Sequence, residues 1–370
     1  MDHLKKHVGR FLIIGIGILT MVAGMQSAQA ARAEPGGWMP TGAGAKITLD
    51  CNPDDAHTNY ILNGRAGLRD QGSNDISNAQ VASCSRFTVN GKMVEFTSAP
   101  KEHRVAAARS FTCAAGEALT ALTYEIEEQY NVVTTTYTCR TLNVSTGTPT
   151  AANRITTAPL SKRQSGHMED GAQTCKSNEV AVGGNFSTTT SAAELFCATI
   201  GSNGETPEAA AALQYFHEES NGTLGECSSY LLDSAIVARA HRGDENGATA
   251  YVCARYFQND KALKLVGRAV EQSVDKESDT QDFKCSIAAN EVMVGRSHSG
   301  DENEKTTYWC QSFREPTFNT PIRVQNETRK PQSPISESGA MLDCSPGVYM
   351  GRYHSGDEQG NSLAFCAELY

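Results

Sequence analysis

Tryptophan is nearly missing from this chain, with Trp38 and Trp309 its two copies. A row of indole rings for stacking an extended ligand is therefore excluded. No two cysteines lie closer than 22 positions. Without a Cys-x-x-Cys, thioredoxin-type redox chemistry and the usual zinc-ribbon spacing do not fit. Basic runs are absent and the formal net charge is −10. Such a chain is unsuited to nucleic acid or to anionic membrane surfaces, both of which attract Lys and Arg. Enzyme signatures fail too: there is no Gly-x-Ser-x-Gly, no P-loop and no His-Glu-x-x-His. His217-Glu218-Glu219-Ser220-Asn221 misses the last of these at its final position.

Long apolar runs are limited to Phe11–Gly24, 14 residues, too few to span a bilayer comfortably. Lys5, Lys6 and Arg10 precede this run and Ala28-Gln29-Ala30 follows it, so residues 1–30 read as a secretory signal peptide. Their net charge is +2 (Lys5, Lys6 and Arg10 against Asp2), which leaves −10 − 2 = −12 on residues 31–370. No membrane span is expected, and the location is secreted, periplasmic or extracellular.

What the chain does have is 12 cysteines, all after residue 30. An even count behind a signal peptide reads as a disulfide framework. Taken in order they pair as Cys51 with Cys84, Cys113 with Cys139, Cys175 with Cys197, Cys227 with Cys253, Cys285 with Cys310 and Cys344 with Cys366. First cysteines recur at steps of 62, 62, 52, 58 and 59, so six units of about 58 residues fill residues 31–370. Near-constant spacing favours pairing within units, each bridge being worth ~3 kcal/mol for a loop of this length.

Inside each unit the pattern is β. Val292-Met293-Val294-Gly295-Arg296 and Val348-Tyr349-Met350-Gly351-Arg352 run towards a polar turn. A second strand then enters the second cysteine as Thr249-x-Tyr251-x-Cys253, Thr306-x-Tyr308-x-Cys310 or Thr135-x-Tyr137-x-Cys139, with alternate residues on one face. Two further strands are expected in each connector, and one short helix from Thr206 to Phe216, with Thr206 as cap. The fold class is thus all-β, six disulfide-stapled repeats, arranged as a propeller-like ring or as two three-repeat β domains.

The turn carries the chemistry. Arg239-Ala240-His241-Arg242-Gly243-Asp244-Glu245, Arg296-Ser297-His298-Ser299-Gly300-Asp301-Glu302 and Arg352-Tyr353-His354-Ser355-Gly356-Asp357-Glu358 are three copies, with His-to-His steps of 57 and 56. Units one to three lack them: Gly67 and Tyr124 stand at the histidine position in units one and two, and both charges are lost around Gly183-Gly184-Asn185. A scaffold used six times and decorated three times suggests that folding does not need the decoration.

One reading is a plain hairpin turn in which Gly300 supplies positive φ and Arg296 pairs with Asp301 or Glu302. Another is a ligand loop. Asp and Glu accept from sugar hydroxyls, Arg and His donate, and three copies give avidity. A third is Ca²⁺ on the Asp-Glu pairs, although the alternating acid pattern of strong sites is absent. Arg242-Gly243-Asp244 matches the integrin tripeptide, but Ser299 and Ser355 take the arginine position in the other copies.

Cys285, Val292–Ser297 and Tyr308–Cys310 together resemble the cysteine repeat of dermatopontin-type proteins. There a cysteine leads into an apolar strand ending in Arg-Ser, a polar loop and a strand ending in cysteine. The Asp-Arg-x-Trp that this family carries before its second cysteine is absent from all six units. The resemblance implies matrix-type or lectin-like binding rather than catalysis. The expected function is multivalent binding of a glycan or cell-surface ligand through Arg239, His241, Asp244, Glu245, Arg296, His298, Asp301, Glu302, Arg352, His354, Asp357 and Glu358. A glycoside hydrolase on a propeller, or a purely structural envelope or matrix protein, are the alternatives.

Overall fold

The computed structural model describes residues 32–33, 37–38, 46–52, 59–67, 80–89, 92–106, 109–127, 131–144, 156–165, 171–176, 178–186, 193–201, 208–209, 211–216, 225–229, 231–242, 247–258, 261–274, 282–300, 305–336, 341–356 and 360–370. Residues 1–31, which hold the expected signal peptide, lie outside them. Among the described residues the structure is almost wholly strand, relieved by one 3₁₀ turn at Cys227–Ser229.

All six expected disulfides are formed, each within its unit. Cys51 is bonded to Cys84, Cys113 to Cys139 and Cys175 to Cys197 in the first half. In the second half Cys227 is bonded to Cys253, Cys285 to Cys310 and Cys344 to Cys366. Cα separations are 5.3–5.9 Å. Cys84, Cys197 and Cys366 are buried on their strands, like the second cysteines of the other three units. These cysteines are structural staples.

Each unit contributes four strands in a fixed order, here called outer, tie, lead and return. The tie strand precedes the first cysteine and the return strand carries the second. The lead strands are Ile61–Gly67, Glu117–Glu127, Glu179–Asn185, Ser234–Arg242, Glu291–His298 and Val348–Ser355. Their hairpin partners, the return strands, are Gln80–Ser85, Asn131–Val144, Ala193–Gly201, Ala248–Gln258, Thr306–Arg314 and Asn361–Leu369. An outer strand of the same unit flanks each return strand, as Lys264–Val274 flanks Thr306–Arg314.

The tie strand goes elsewhere. Lys46–Asp50 of unit one joins the lead strand of unit two, Phe111–Thr112 joins that of unit three, and Gly171–Thr174 returns to unit one. In the second half, Gly225–Glu226 joins unit five, Asp282–Lys284 joins unit six, and Met341–Asp343 returns to unit four. Pairing therefore closes twice in cycles of three, the second of the two expected arrangements. It does not run once around six blades. The three lead strands of each half pack pairwise against one another and define an axis.

A bulge recurs at the same place in all six hairpins, and it has a job. It skips Asn63, Thr120, Val182, Val237, Val294 and Met350. The carbonyls of five of these accept the N–H of the first cysteine of the neighbouring unit, for example Cys285 N–H to Met350 O at 2.9 Å and Cys113 N–H to Val182 O at 2.7 Å. The bulge thus turns a ladder carbonyl towards the next unit, while the disulfide ties that cysteine back to its own return strand. The residue after the bulge meets the incoming tie strand. A Cβ on Gly351 would lie 1.9 Å from Phe283 O, and one on Gly183 would lie 2.0 Å from Phe111 O. This close approach explains the glycine of the Gly-Arg pattern.

The face expected from Thr-x-Tyr-x-Cys is buried in units two, four and five. So is the apolar residue three positions after each second cysteine: Phe87, Leu142, Ile200, Tyr256, Phe313 and Leu369. The core of the second half extends to Ala66 and Val81 of unit one, which joins the halves. The helix expected over Thr206–Phe216 is a correction. Glu208–Ala209 and Ala211–Phe216 are strands, and the latter is the outer strand of unit four, paired with residues 249–254. A continuous six-residue ladder overrides alanine's helical preference, which is worth at most ~1 kcal/mol per residue.

Candidate functional site

Arginine and histidine stand two residues apart on each of the three lead strands of the second half, so both point the same way. That direction is inward. Arg239, Arg296 and Arg352 are 2 %, 3 % and 4 % exposed, and His241, His298 and His354 are 3 %, 3 % and 6 % exposed. They sit beneath the turns rather than at their tips.

Register explains what holds them. His241, His298 and His354 lie directly across the hairpin from Thr249, Thr306 and Ser362. Each ring Nδ1 is bonded to that hydroxyl, at 2.7, 2.7 and 3.0 Å. Arg239 and Arg296 lie across from Tyr251 and Tyr308, and the Arg296 guanidinium lies 5.9 Å from the centre of the Tyr308 ring. In units four and five the Thr-x-Tyr-x-Cys run is thus the cross-strand complement of Arg-x-His, whereas in unit six Ser362 and Ala364 stand opposite and in unit two the same run faces Tyr124 and Leu122. Both patterns were visible in the sequence, and their opposed spacing is the signal that would have joined them.

Three hydrogen bonds add detail. Arg296 Nη1 donates to Tyr251 Oη at 3.1 Å, which links unit five to the return strand of unit four. Arg352 Nη2 donates to His354 Nδ1 at 2.7 Å, and its Nε donates to Ser362 Oγ at 3.2 Å. A guanidinium has no acceptor, so His354 Nδ1 presents a lone pair and the ring proton is on Nε2.

Counting from the bulge gives the matching positions in the first half: Arg65 and Gly67, Leu122 and Tyr124, Gly184 and Phe186. Here the packing is largely aromatic. Tyr124 meets Phe186 edge-on at 5.7 Å, and the Arg65 guanidinium lies 5.6 Å from the Phe186 ring centre. Arg65 is held by two amides, Gln173 Oε1 at 2.6 Å and Gln80 Oε1. Burial pushes the Tyr124 phenol up to about 12, a rise that the nearby Arg65 charge partly offsets.

Asp244, Glu245, Asp301, Glu302, Asp357 and Glu358 lie outside the described residues, as does Gly243-Asp244 of the integrin-like tripeptide. At the entrances to these turns Gly300 and Gly356 have φ of 80° and 97°, the left-handed region expected of Gly300. Among the described residues no group of three His, Cys, Asp or Glu is placed to hold a metal ion. The buried carboxylates described are Glu117 and Glu179. Each folds back on its own turn, Glu117 to Ala114 N–H and Lys101, and Glu179 to Lys176 N–H. No described helix is long and apolar enough to cross a membrane. The chain matches no protein-family model, and no curated protein or solved structure matches it.

Proposed function

We propose that the chain is an exported, non-catalytic binding protein whose second half presents three Asp-Glu turns to glycans of a cell surface. The observation that carries this reading is the exchange of chemistry at the axis. Burying three guanidinium groups costs desolvation that aromatic packing avoids. The first half closes the same cycle with a single buried arginine, Arg65, beside Gly67, Leu122, Tyr124, Gly184 and Phe186, so two of the three arginines and all three histidines are surplus to folding in this reading. In this reading Arg and His form a fixed polar base for the turns above them, and the turn carboxylates accept from sugar hydroxyls. Three sites on one chain give avidity to a contact that is weak one at a time. Six disulfides suit an oxidising compartment.

A glycan array with oxidised protein, with and without Ca²⁺, tests the proposal. Its companion is a variant with Asp244, Asp301 and Asp357 changed to Asn and Glu245, Glu302 and Glu358 changed to Gln, which leaves the buried base intact. Binding that disappears in the variant supports the reading, and a Ca²⁺ requirement would assign the carboxylates to the metal. Folded wild type that binds no glycan defeats it.

A further inference from the structure

A cleft of about 500 Å³ opens at the far end of unit five, away from the Asp-Glu turns. The turn after the Thr306–Arg314 strand meets there with Gln258, Gln325 and Tyr370. Its volume is that of an ordinary small-molecule site. Arg323 and Tyr370 exchange backbone hydrogen bonds at 2.8 and 2.9 Å, which fixes one wall.

Phe318 stands over this cleft and is 80 % exposed, the most exposed of the large apolar residues described. That exposure is built in. Phe318 N–H donates to Glu315 Oε2 at 2.6 Å, Asn319 N–H to Glu315 O at 3.0 Å, and Glu315 N–H to Thr320 O at 2.9 Å. Lys261 Nζ donates to Thr317 Oγ1 at 2.8 Å, and Asn319 takes a left-handed φ of 57°.

The fold does not require this turn. In unit four the corresponding closure, Leu263 N–H to Tyr256 O at 2.8 Å, spans the six residues 257–262. In unit five Ile322 N–H to Phe313 O at 3.0 Å spans the eight residues 314–321. The two extra residues build the apex that carries Phe318.

The lining also specifies a ligand class. Pro321 and the largely buried Ile322 line the cleft with Phe318, and the remaining lining carries both donors and acceptors. Arg323 only donates, Gln258 and Gln325 do both, and the Glu315 carboxylate, which also faces Lys261 Nζ at 3.7 Å, only accepts. The Phe318 N–H, with further bonds from Thr317, holds that carboxyl below the usual range, so it stays an acceptor. A sugar ring, with one apolar face and a rim of hydroxyls that both donate and accept, matches this lining.

We propose that this cleft is a second ligand site, independent of the Asp-Glu turns, that takes a short neutral oligosaccharide with one ring stacked on Phe318. The test is saturation-transfer NMR and calorimetry of the oxidised protein with maltotriose, cellotriose, chitotriose and mannotriose, beside Phe318→Ala, Phe318→Trp and Arg323→Ala. The expected result is binding of at least one trisaccharide, weakened about tenfold by Phe318→Ala and kept by Phe318→Trp. Arg323→Ala should weaken it less. Phe318 is at the surface, so its loss leaves the fold intact. The sixfold Asp/Glu variant of the turns should bind as wild type here, which separates this site from the first. No trisaccharide bound by wild type, or equal binding by Phe318→Ala, overturns the proposal.

Discussion

At the axis of the first half Tyr124 meets Phe186 edge-on, with Leu122 and Gly184 two residues before them. At the same places in the second half stand His298 and His354, with Arg296 and Arg352 two residues before. Around these unlike centres the scaffold is the same: six disulfides, six bulges at one register, and tie strands passed around a cycle of three. Topology is therefore specified away from the axis, by the disulfide, the bulge carbonyl and the cysteine N–H that meets it. The axis is free to carry other chemistry, and one half uses that freedom.

Substitutions in the two centres test this contrast. The largest effect belongs to the aromatic centre: Phe186→Ala should cost about 3–5 kcal/mol in denaturant unfolding with disulfides intact. His354→Ala removes hydrogen bonds from a polar centre and should cost about 1–3 kcal/mol in the same assay. Equal costs would erase the distinction between the halves. The alkaline limb comes next. Tyr124 is held neutral in the fold up to about pH 12, whereas the unfolded chain ionises near pH 10. Its contribution is complete below pH 10 and lost between pH 10 and 12, worth about 2–3 kcal/mol. Tyr124→Phe should flatten that part of the stability–pH curve, and an unchanged slope would mean that other phenols govern it.

A smaller pair tests the scaffold itself. Gly351→Ala forces a Cβ into Phe283 O and should cost about 1–3 kcal/mol. Gly295→Ala meets its nearest backbone oxygen at 3.2 Å and should cost under about 1 kcal/mol, since Ala121 and Ala238 already occupy that position in units two and four. Similar values for the two would mean that the tie strand is not what requires glycine.

Much of the scaffold was legible in the chain. Cysteine spacing gave the six pairs, because each bridge closes a local hairpin, as Cys344 with Cys366 does across 22 positions. Alternation gave the strands and the buried Thr-x-Tyr-x-Cys face. The choice between a ring of six and closure in threes was not legible. It is decided by tie strands of as few as two residues, such as Phe111–Thr112 and Gly225–Glu226, whose partners lie in another unit. The stretch to Phe216 misled because alanine's local preference says nothing about a ladder waiting at residues 249–254. Arg-x-His read as a surface motif because charged residues usually are exposed. Only the hydroxyls of Thr249, Thr306 and Ser362, placed across the hairpin, told otherwise.

The central claim is that the polar axis serves binding and not folding. The most direct measurement transplants the first half's centre into the second as one variant: His241→Gly, Arg296→Leu, His298→Tyr, Arg352→Gly and His354→Phe, with Arg239 kept as the counterpart of Arg65. Unfolding and glycan binding are then measured on the same oxidised sample. The expected result is a cooperatively folded protein that has lost the glycans bound through the Asp-Glu turns. A variant that binds them as well as wild type, or one that fails to fold for want of its arginines and histidines, would contradict the claim.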